Sequence, residues 1–176
     1  GGAAADTFNF ENGSTFAGAI SGGGGNNQIV GTELGDRTTV SGPNSGTFRA
    51  NFGVAANDVT FQQIVSFTGG SGADRYVFEN NGTLSGDIDG GGGTNTLVGD
   101  DDGNVFTLTA TDAGNLATKL TGTSPAFVNI NNLEGGLGAD TFNLNARLTG
   151  NVDGAAGNDI FNVDTGVVID GQILGN

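Results

Sequence analysis

Gly69-Gly70-Ser71-Gly72-Ala73-Asp74-Arg75-Tyr76-Val77-Phe78 is one of three versions of the same stretch in this chain of 176 residues. Gly1-Gly2-Ala3-Ala4-Ala5-Asp6-Thr7-Phe8-Asn9-Phe10 precedes it, and Gly135-Gly136-Leu137-Gly138-Ala139-Asp140-Thr141-Phe142-Asn143-Leu144 follows. Recurrence of this kind marks a repeat protein, in which copies of one supersecondary unit bury their apolar faces on each other. Between the first two copies the offset is 68 (69 − 1) and holds to Phe48/Leu116. It falls to 66 at Phe61/Phe127 and to 64 at Leu84/Leu148, so two-residue deletions are expected in turns. The chain reads as a single solenoid domain of long repeats 1–68, 69–134 and a shortened 135–176.

Within each repeat, glycine-marked turns at Gly1, Gly22, Gly46, Gly69, Gly90, Gly114, Gly135 and Gly154 recur at roughly 22 residues, the length of one β-solenoid coil. The expected fold is all-β: a parallel β-solenoid, β-helix or β-roll-like, of about eight coils, with two or three strands in each. Strands about 4.8 Å apart would make it roughly 38 Å long. Phe8/Phe10, Tyr76/Phe78 and Phe142/Leu144 alternate with polar residues, which turns one row inward. Phe16 and Ile20 extend the same expected core row. Glycine is 35 of 176 residues and no apolar stretch keeps the 3.6-residue helical spacing, so helices are not expected.

The formal net charge is −14, and the five cations, Arg37, Arg49, Arg75, Lys119 and Arg147, are scattered along the chain. Such a surface offers no stripe to neutralise phosphates and is repelled by anionic membranes, so neither nucleic acid nor membrane insertion is expected. No stretch approaches 18 apolar residues. Cys, His, Met and Trp are absent. Without an initiator Met the chain reads as an internal excerpt or a processed product. Whether Gly1 is a natural terminus stays open.

The runs Gly69–Val77 and Gly135–Asn143 fit the G-G-x-G-x-D-x-U-x nonapeptide, in which U is a large apolar residue. In this they resemble RTX proteins. Ile130-Asn-Asn-Leu-Glu-Gly-Gly-Leu-Gly-Ala-Asp-Thr-Phe142 is similar to the β-strand repeats of very large secreted bacterial surface proteins, adhesins and matrix proteins. The resemblance implies an extracellular or cell-surface, bacterial location and Ca²⁺ in the turns. Calcium takes six to eight oxygens, and bare turn carbonyls with a carboxylate supply them. The pair Asp140 and Asp159, 19 residues apart, keeps both acids and, with Gly135, Gly136, Gly138, Gly154 and Gly157, is the candidate calcium site. Asp6 with Asn27 and Asp74 with Asn95 are weaker versions carrying Asn in the second turn. At all six positions the alternative is a side-chain ladder without metal.

Asp100-Asp101-Asp102-Gly103-Asn104 reads as a solvated acidic turn before a metal loop, and Asp87, Asp89 and Asp153 as a surface row. Thr94/Thr96, Thr107/Thr109/Thr111 and Thr121/Thr123 do not recur at one coil position, as an ice-binding face would require. Phe8, Phe10, Phe16, Tyr76, Phe78 and Phe142 read as core stacking before a sugar platform. Catalysis is not expected. With no His or Cys a nucleophile would depend on Lys119, and nearly equal turns leave no cleft for a carboxylate pair of lyase or glycosidase type.

Neither end reads as a cap. Ile173-Leu174-Gly175-Asn176 followed by Gly1-Gly2 resembles Asn132-Leu133-Glu134-Gly135-Gly136, so copies placed head to tail would continue the beat. Two functions are therefore expected. The first is a structural subunit stacking end to end into a fibre or matrix filament. The second is a calcium-binding stalk segment of a giant RTX-like adhesin. A surface polysaccharide is a further partner to consider.

Overall fold

The computed structural model describes residues 1–51, 58–118 and 125–176. Among them there are eighteen strands and no helix. The strands are β1 (Thr7–Asn9), β2 (Ala19–Ser21), β3 (Gln28–Val30), β4 (Arg37–Gly42), β5 (Ser45–Arg49), β6 (Asp58–Gln62), β7 (Ser66–Thr68), β8 (Arg75–Phe78), β9 (Ile88–Asp89), β10 (Thr96–Val98), β11 (Asn104–Ala110), β12 (Ala113–Thr118), β13 (Ala126–Val128), β14 (Asn132–Glu134), β15 (Thr141–Leu144), β16 (Val152–Asp153), β17 (Ile160–Val163) and β18 (Ile173–Leu174).

They form two nine-stranded sheets, ordered β1-β3-β7-β9-β13-β12-β11-β15-β17 and β18-β16-β14-β10-β8-β4-β5-β6-β2. Both are mixed. In the first only β12 runs against its neighbours, and in the second only β5 does. The other pairings are parallel, and the chain crosses from one sheet to the other after nearly every strand. The crossings stop only within β4-β5-β6 and β11-β12-β13, where three consecutive strands lie in one sheet.

These excursions correct the expectation of about eight equal coils. Parallel partners lie 21 residues apart at Thr7↔Gln28 and Arg75↔Thr96, but 38 apart at Gln28↔Ser66 and 36 apart at Thr96↔Asn132. Gly46 and Gly114 do not mark coil turns: they lie inside β5 and β12. A Cβ there would sit 1.9 Å from the Thr39 carbonyl oxygen and 2.1 Å from that of Thr107, so glycine is required by close strand approach. The first reversal of each excursion is at Asn44 (φ 49°) and Asp112 (φ 53°), both left-handed and 68 residues apart (112 − 44). The later two-residue deletion falls in the turn before Leu148. The earlier one spans a segment partly outside the described residues.

Among the described residues, each of the two full repeats contains seven strands, an odd number. Successive repeats therefore begin in opposite sheets: β1 in the first, β8 in the second, β15 in the first again. One sequence unit thus builds both sheets, which is why each has one antiparallel strand and the same strand count.

A single core lies between the sheets. Columns of inward residues run through it, Phe8, Ile29, Phe67, Ile88 and Phe127 in one sheet and Tyr76, Leu97, Leu133 and Val152 in the other. Cross-sheet contacts such as Phe61–Phe67, with ring centroids 5.1 Å apart, close it. Full burial of each such side chain contributes on the order of 2 kcal/mol. Phe16 departs from its expected core role. It precedes β2 and is 44% exposed.

Candidate functional site

Side-chain ladders run along the turns that join the sheets. Asp6 donates its backbone N–H to Asn27 Oδ1 (2.9 Å), Asp36 to Asp74 Oδ1 (2.6 Å), Asp74 to Asn95 Oδ1 (2.8 Å), Asn95 to Asn131 Oδ1 (2.8 Å), Asn104 to Asp140 Oδ1 (2.7 Å) and Asp140 to Asp159 Oδ1 (3.0 Å). Each rung passes from an earlier turn to the next, so a turn is satisfied only by its neighbour. A second series has the opposite polarity. Asn12 Oδ1 accepts from Glu33 N–H and Glu33 Oε2 from Ser71 N–H; one repeat later Asn80 Oδ1 accepts from Asp101 N–H and Asp101 Oδ1 from Leu137 N–H.

The alternation of Asp and Asn between paired turns follows from hydrogen-bond chemistry. In the Asp turns the second oxygen accepts a local amide: Gly2 N–H at Asp6 Oδ2 (3.1 Å), Gly136 N–H at Asp140 Oδ2 (3.0 Å). In the Asn turns that position must donate. Asn27 Nδ2 reaches the carbonyls of Gly24 and Gln63, and Asn95 Nδ2 those of Gly92 and Asn129. A carboxylate has no proton for this task and an amide does.

The candidate calcium residues are all turn residues, and the structure brings Asp140 and Asp159 together. Asp140 is buried, with Oδ1 receiving two donors from Asn104 (N–H 2.7 Å, Nδ2 2.8 Å) and Oδ2 receiving Gly136 N–H. N–H groups thus occupy the oxygens that a cation would use. Gly135 and Gly154 pack under the carboxylates: a Cβ on either would lie 2.3 Å from Oδ2 of Asp140 or Asp159. Gly138 and Gly157 cross over one another in the turn, where a Cβ on Gly157 would lie 2.1 Å from the Gly138 carbonyl oxygen. No group of three or more carboxylates gathers among the described residues.

Two carboxylates are less well served. Asp74 Oδ2 and Asp100 Oδ2 are buried without a hydrogen-bond partner. Burial pushes the Asp74 carboxyl up to about 7, with the nearby Asp36 and Glu33 charges adding to it, and the Asp36 N–H bond and the Gly70 N–H, which faces the carboxylate outside hydrogen-bond geometry, opposing. Burial also raises Asp100, at the head of the acidic turn, where Asp102 N–H and Asn104 Nδ2 fold back on it. Only Asp101 and Asp102 of that turn are exposed. The pair Asp87 and Asp89 lies in a shallow groove on the first sheet with Gln28, Ser66, Thr68 and Val128. There Asp89 Oδ1 accepts from Gly91 N–H and Asn129 Nδ2. Asp153 does the equivalent for Ala155 N–H.

The cations are less scattered than the sequence suggests. Arg49, Arg37 and Arg75 are register partners on adjacent strands of the second sheet. Arg49 is paired with Asp58 and Arg75 with Glu134, so the row carries its own counter-charges. Lys119, Thr121 and Thr123 lie outside the described residues. Phe67, Tyr76, Phe78, Phe127 and Phe142 are buried, so their faces are not available to a sugar.

The ends of both sheets are open. β1 and β17 are the edges of one, β2 and β18 of the other. The inward residues Val163 and Ile173 are 49% and 41% exposed, whereas Leu144 and Val152, their register partners one strand inward, are 0% exposed. Gly1 and Gly2 sit at the opposite end, with the Gly1 amino group on the Ser21 carbonyl. Of the residues expected to mediate self-association, Ile173 and Leu174 form β18, while Gly175 and Asn176 follow it exposed. The edge strands β1 and β17 carry sequences that match those of interior strands, so nothing local marks them as edges.

Asn95→Ala would strip the Asp74 N–H and the Gly92 and Asn129 carbonyls of their partner at a fully buried position. The expected loss is about 3 kcal/mol in urea unfolding, against less than about 0.5 kcal/mol for the exposed Asn9→Ala. No protein-family model, curated protein or solved structure matches this chain.

Proposed function

We propose that this chain is a non-enzymatic structural protein, a β-solenoid-like stack of strand turns that lengthens end to end into a fibre or matrix filament. The observation that carries the reading is the repetition of one rung along the stack: Val163 and Ile173 take the register of Leu144 and Val152, and Asp140 N–H reaches Asp159 as Asp6 N–H reaches Asn27. A unit that repeats itself strand on strand in this way can be continued by a further copy. The ladders supply the turns with hydrogen bonds without a metal. An extracellular bacterial setting follows from the RTX-like resemblance alone.

The second reading is a calcium-binding stalk segment of an RTX-like adhesin. It is favoured by the Gly-Gly-x-Gly-x-Asp turns and by the buried, unpartnered oxygens of Asp74 and Asp100, which a cation or a proton would relieve. The groove at Asp87 and Asp89 is the place to look for a polysaccharide.

Electron microscopy in Ca²⁺ and in EDTA separates the two main readings. Filaments that survive EDTA support the first; monodisperse particles that unfold on chelation support the second. Thermal unfolding adds a scale. A site filled at 100-fold over its Kd contributes about 2.7 kcal/mol, or a Tm rise of about 5–11 °C for a chain this size. The metal-free ladder predicts a shift of less than about 2 °C, judged on the same scale.

A further inference from the structure

The two ends of the stack are complementary. β17 and β1 are opposite edges of one sheet and share the pattern Asp-x-Phe-Asn, as Asp159-Ile160-Phe161-Asn162 and Asp6-Thr7-Phe8-Asn9. Inside the molecule this pattern already stacks on itself: β15 pairs β17 in parallel with Thr141↔Ile160, Phe142↔Phe161 and Asn143↔Asn162. Phe142 and Phe161 lie ring on ring at 5.2 Å, Asp140 N–H reaches Asp159 Oδ1, and Asn162 Nδ2 reaches Asn143 Oδ1 at 2.9 Å. The ladder's polarity leaves Asp159 N–H as the next donor at one end and Asp6 Oδ1 as the open acceptor at the other. β18 and β2 are likewise opposite edges of the second sheet. Ile173 follows Phe161 by 12 residues (173 − 161), and Ile20 follows Phe8 by 12 (20 − 8), so both strands of one end can meet both strands of the other together.

We infer that the β17/β18 end of one copy pairs in parallel with the β1/β2 end of a second copy of this chain, in the register Phe161 to Phe8 and Ile173 to Ile20. Asp159 then donates its backbone N–H to Asp6 Oδ1 of the second copy, and Phe8 of that copy extends the Phe106–Phe142–Phe161 stack. The contact is head to tail and does not close, so it propagates. It rests on the filament reading and adds the surface and the register. Because each copy carries a formal charge of −14, association strengthens as salt screens the repulsion.

The chain has no cysteine, so a disulfide can report the register. Asn9 and Asn162 are exposed, on one face of their strands, and in the inferred pairing their Cα atoms would be about 4.8 Å apart, within the range a disulfide spans. The N9C/N162C variant, oxidised at moderate salt, is expected to give a ladder of linked oligomers on a non-reducing gel. N9C/I160C, on the same face but two residues out of register, is expected to give none. Circular dichroism of both reduced variants checks that the fold is kept. Filaments in which N9C/N162C stays uncrosslinked, or in which N9C/I160C links instead, would overturn the register while the filament reading stands. A monodisperse monomer by light scattering at every salt concentration would overturn both.

Discussion

Phe142→Ala is expected to lower the stability of the chain by about 5 kcal/mol. A buried Phe→Ala change costs about 3–5 kcal/mol through lost transfer energy and the cavity left behind. Here the ring is also sandwiched, parallel to Phe106 (4.8 Å, 4°) and to Phe161 (5.2 Å, 5°), and aromatic pairs add about 0.5–1.5 kcal/mol each. The same change at Phe161, half-buried at the open end with one aromatic neighbour, should cost about half as much. Phe142 lies in β15, which joins the edge strand β17 to the rest of the first sheet, so damage there also loosens that end. Urea unfolding of Phe142→Ala, followed by circular dichroism, should therefore lose its single transition, with hydrogen exchange showing protection retained in β1–β10 and lost first from β15 and β17. A loss below about 1 kcal/mol with one sharp transition would mean that the ring stack does not couple its neighbours.

The difference between Phe142 and Phe161 is not written in their local sequences, which are Asp140-Thr141-Phe142-Asn143 and Asp159-Ile160-Phe161-Asn162. Period-2 alternation and the repeated Gly-Gly starts are local signals, and they place strands and turns well. They cannot distinguish a parallel neighbour from an antiparallel one, since both present alternate residues to the same face. For that reason the β4-β5-β6 and β11-β12-β13 excursions were not foreseen. Gly46 and Gly114 look like turn glycines, and only the approach of Thr39 and Thr107 shows why they are strand glycines. The turn carboxylates were similarly ambiguous. Their sequence fits both a metal motif and a ladder, and the direction of each N–H is a property of the stacked turns. The alternation of Asp6 with Asn27 and of Asp74 with Asn95, expected either as weaker calcium turns or as a ladder without metal, coincides with which positions must donate.

Asp74 tests that explanation through pH. Its carboxyl is buried in the middle of a ladder, one oxygen taken by the Asp36 N–H and the other unpartnered. Burial raises it to about 7, from an unfolded value near 3.8. The folded state therefore holds a proton that the unfolded chain releases above about pH 4. This contribution is fully present below the unfolded value, declines as pH rises from about 4 to 7, and is gone above the folded value. A displacement of about three pKa units corresponds to roughly 4 kcal/mol. Asp74→Asn should keep the Oδ1 acceptor for Asp36 and remove the buried charge, with a smaller cost where its amide turns toward the Gly70 N–H, the equivalent of the Gly2 and Gly136 donors of Asp6 and Asp140. A Cβ on Gly69 would lie 2.2 Å from Asp74 Oδ2 and 2.5 Å from the Gly90 carbonyl oxygen, the acceptor that the amide would need. The variant would then resemble Asn27 and Asn95, whose amides already reach the next turn. Near pH 8 it should be more stable than the parent by up to about 4 kcal/mol, and near pH 4 the two should differ by less than about 1 kcal/mol. Urea titrations at both pH values measure the two differences. An Asn variant that is weaker at pH 8 would mean that the ionised carboxylate is wanted there, the outcome a bound cation would produce.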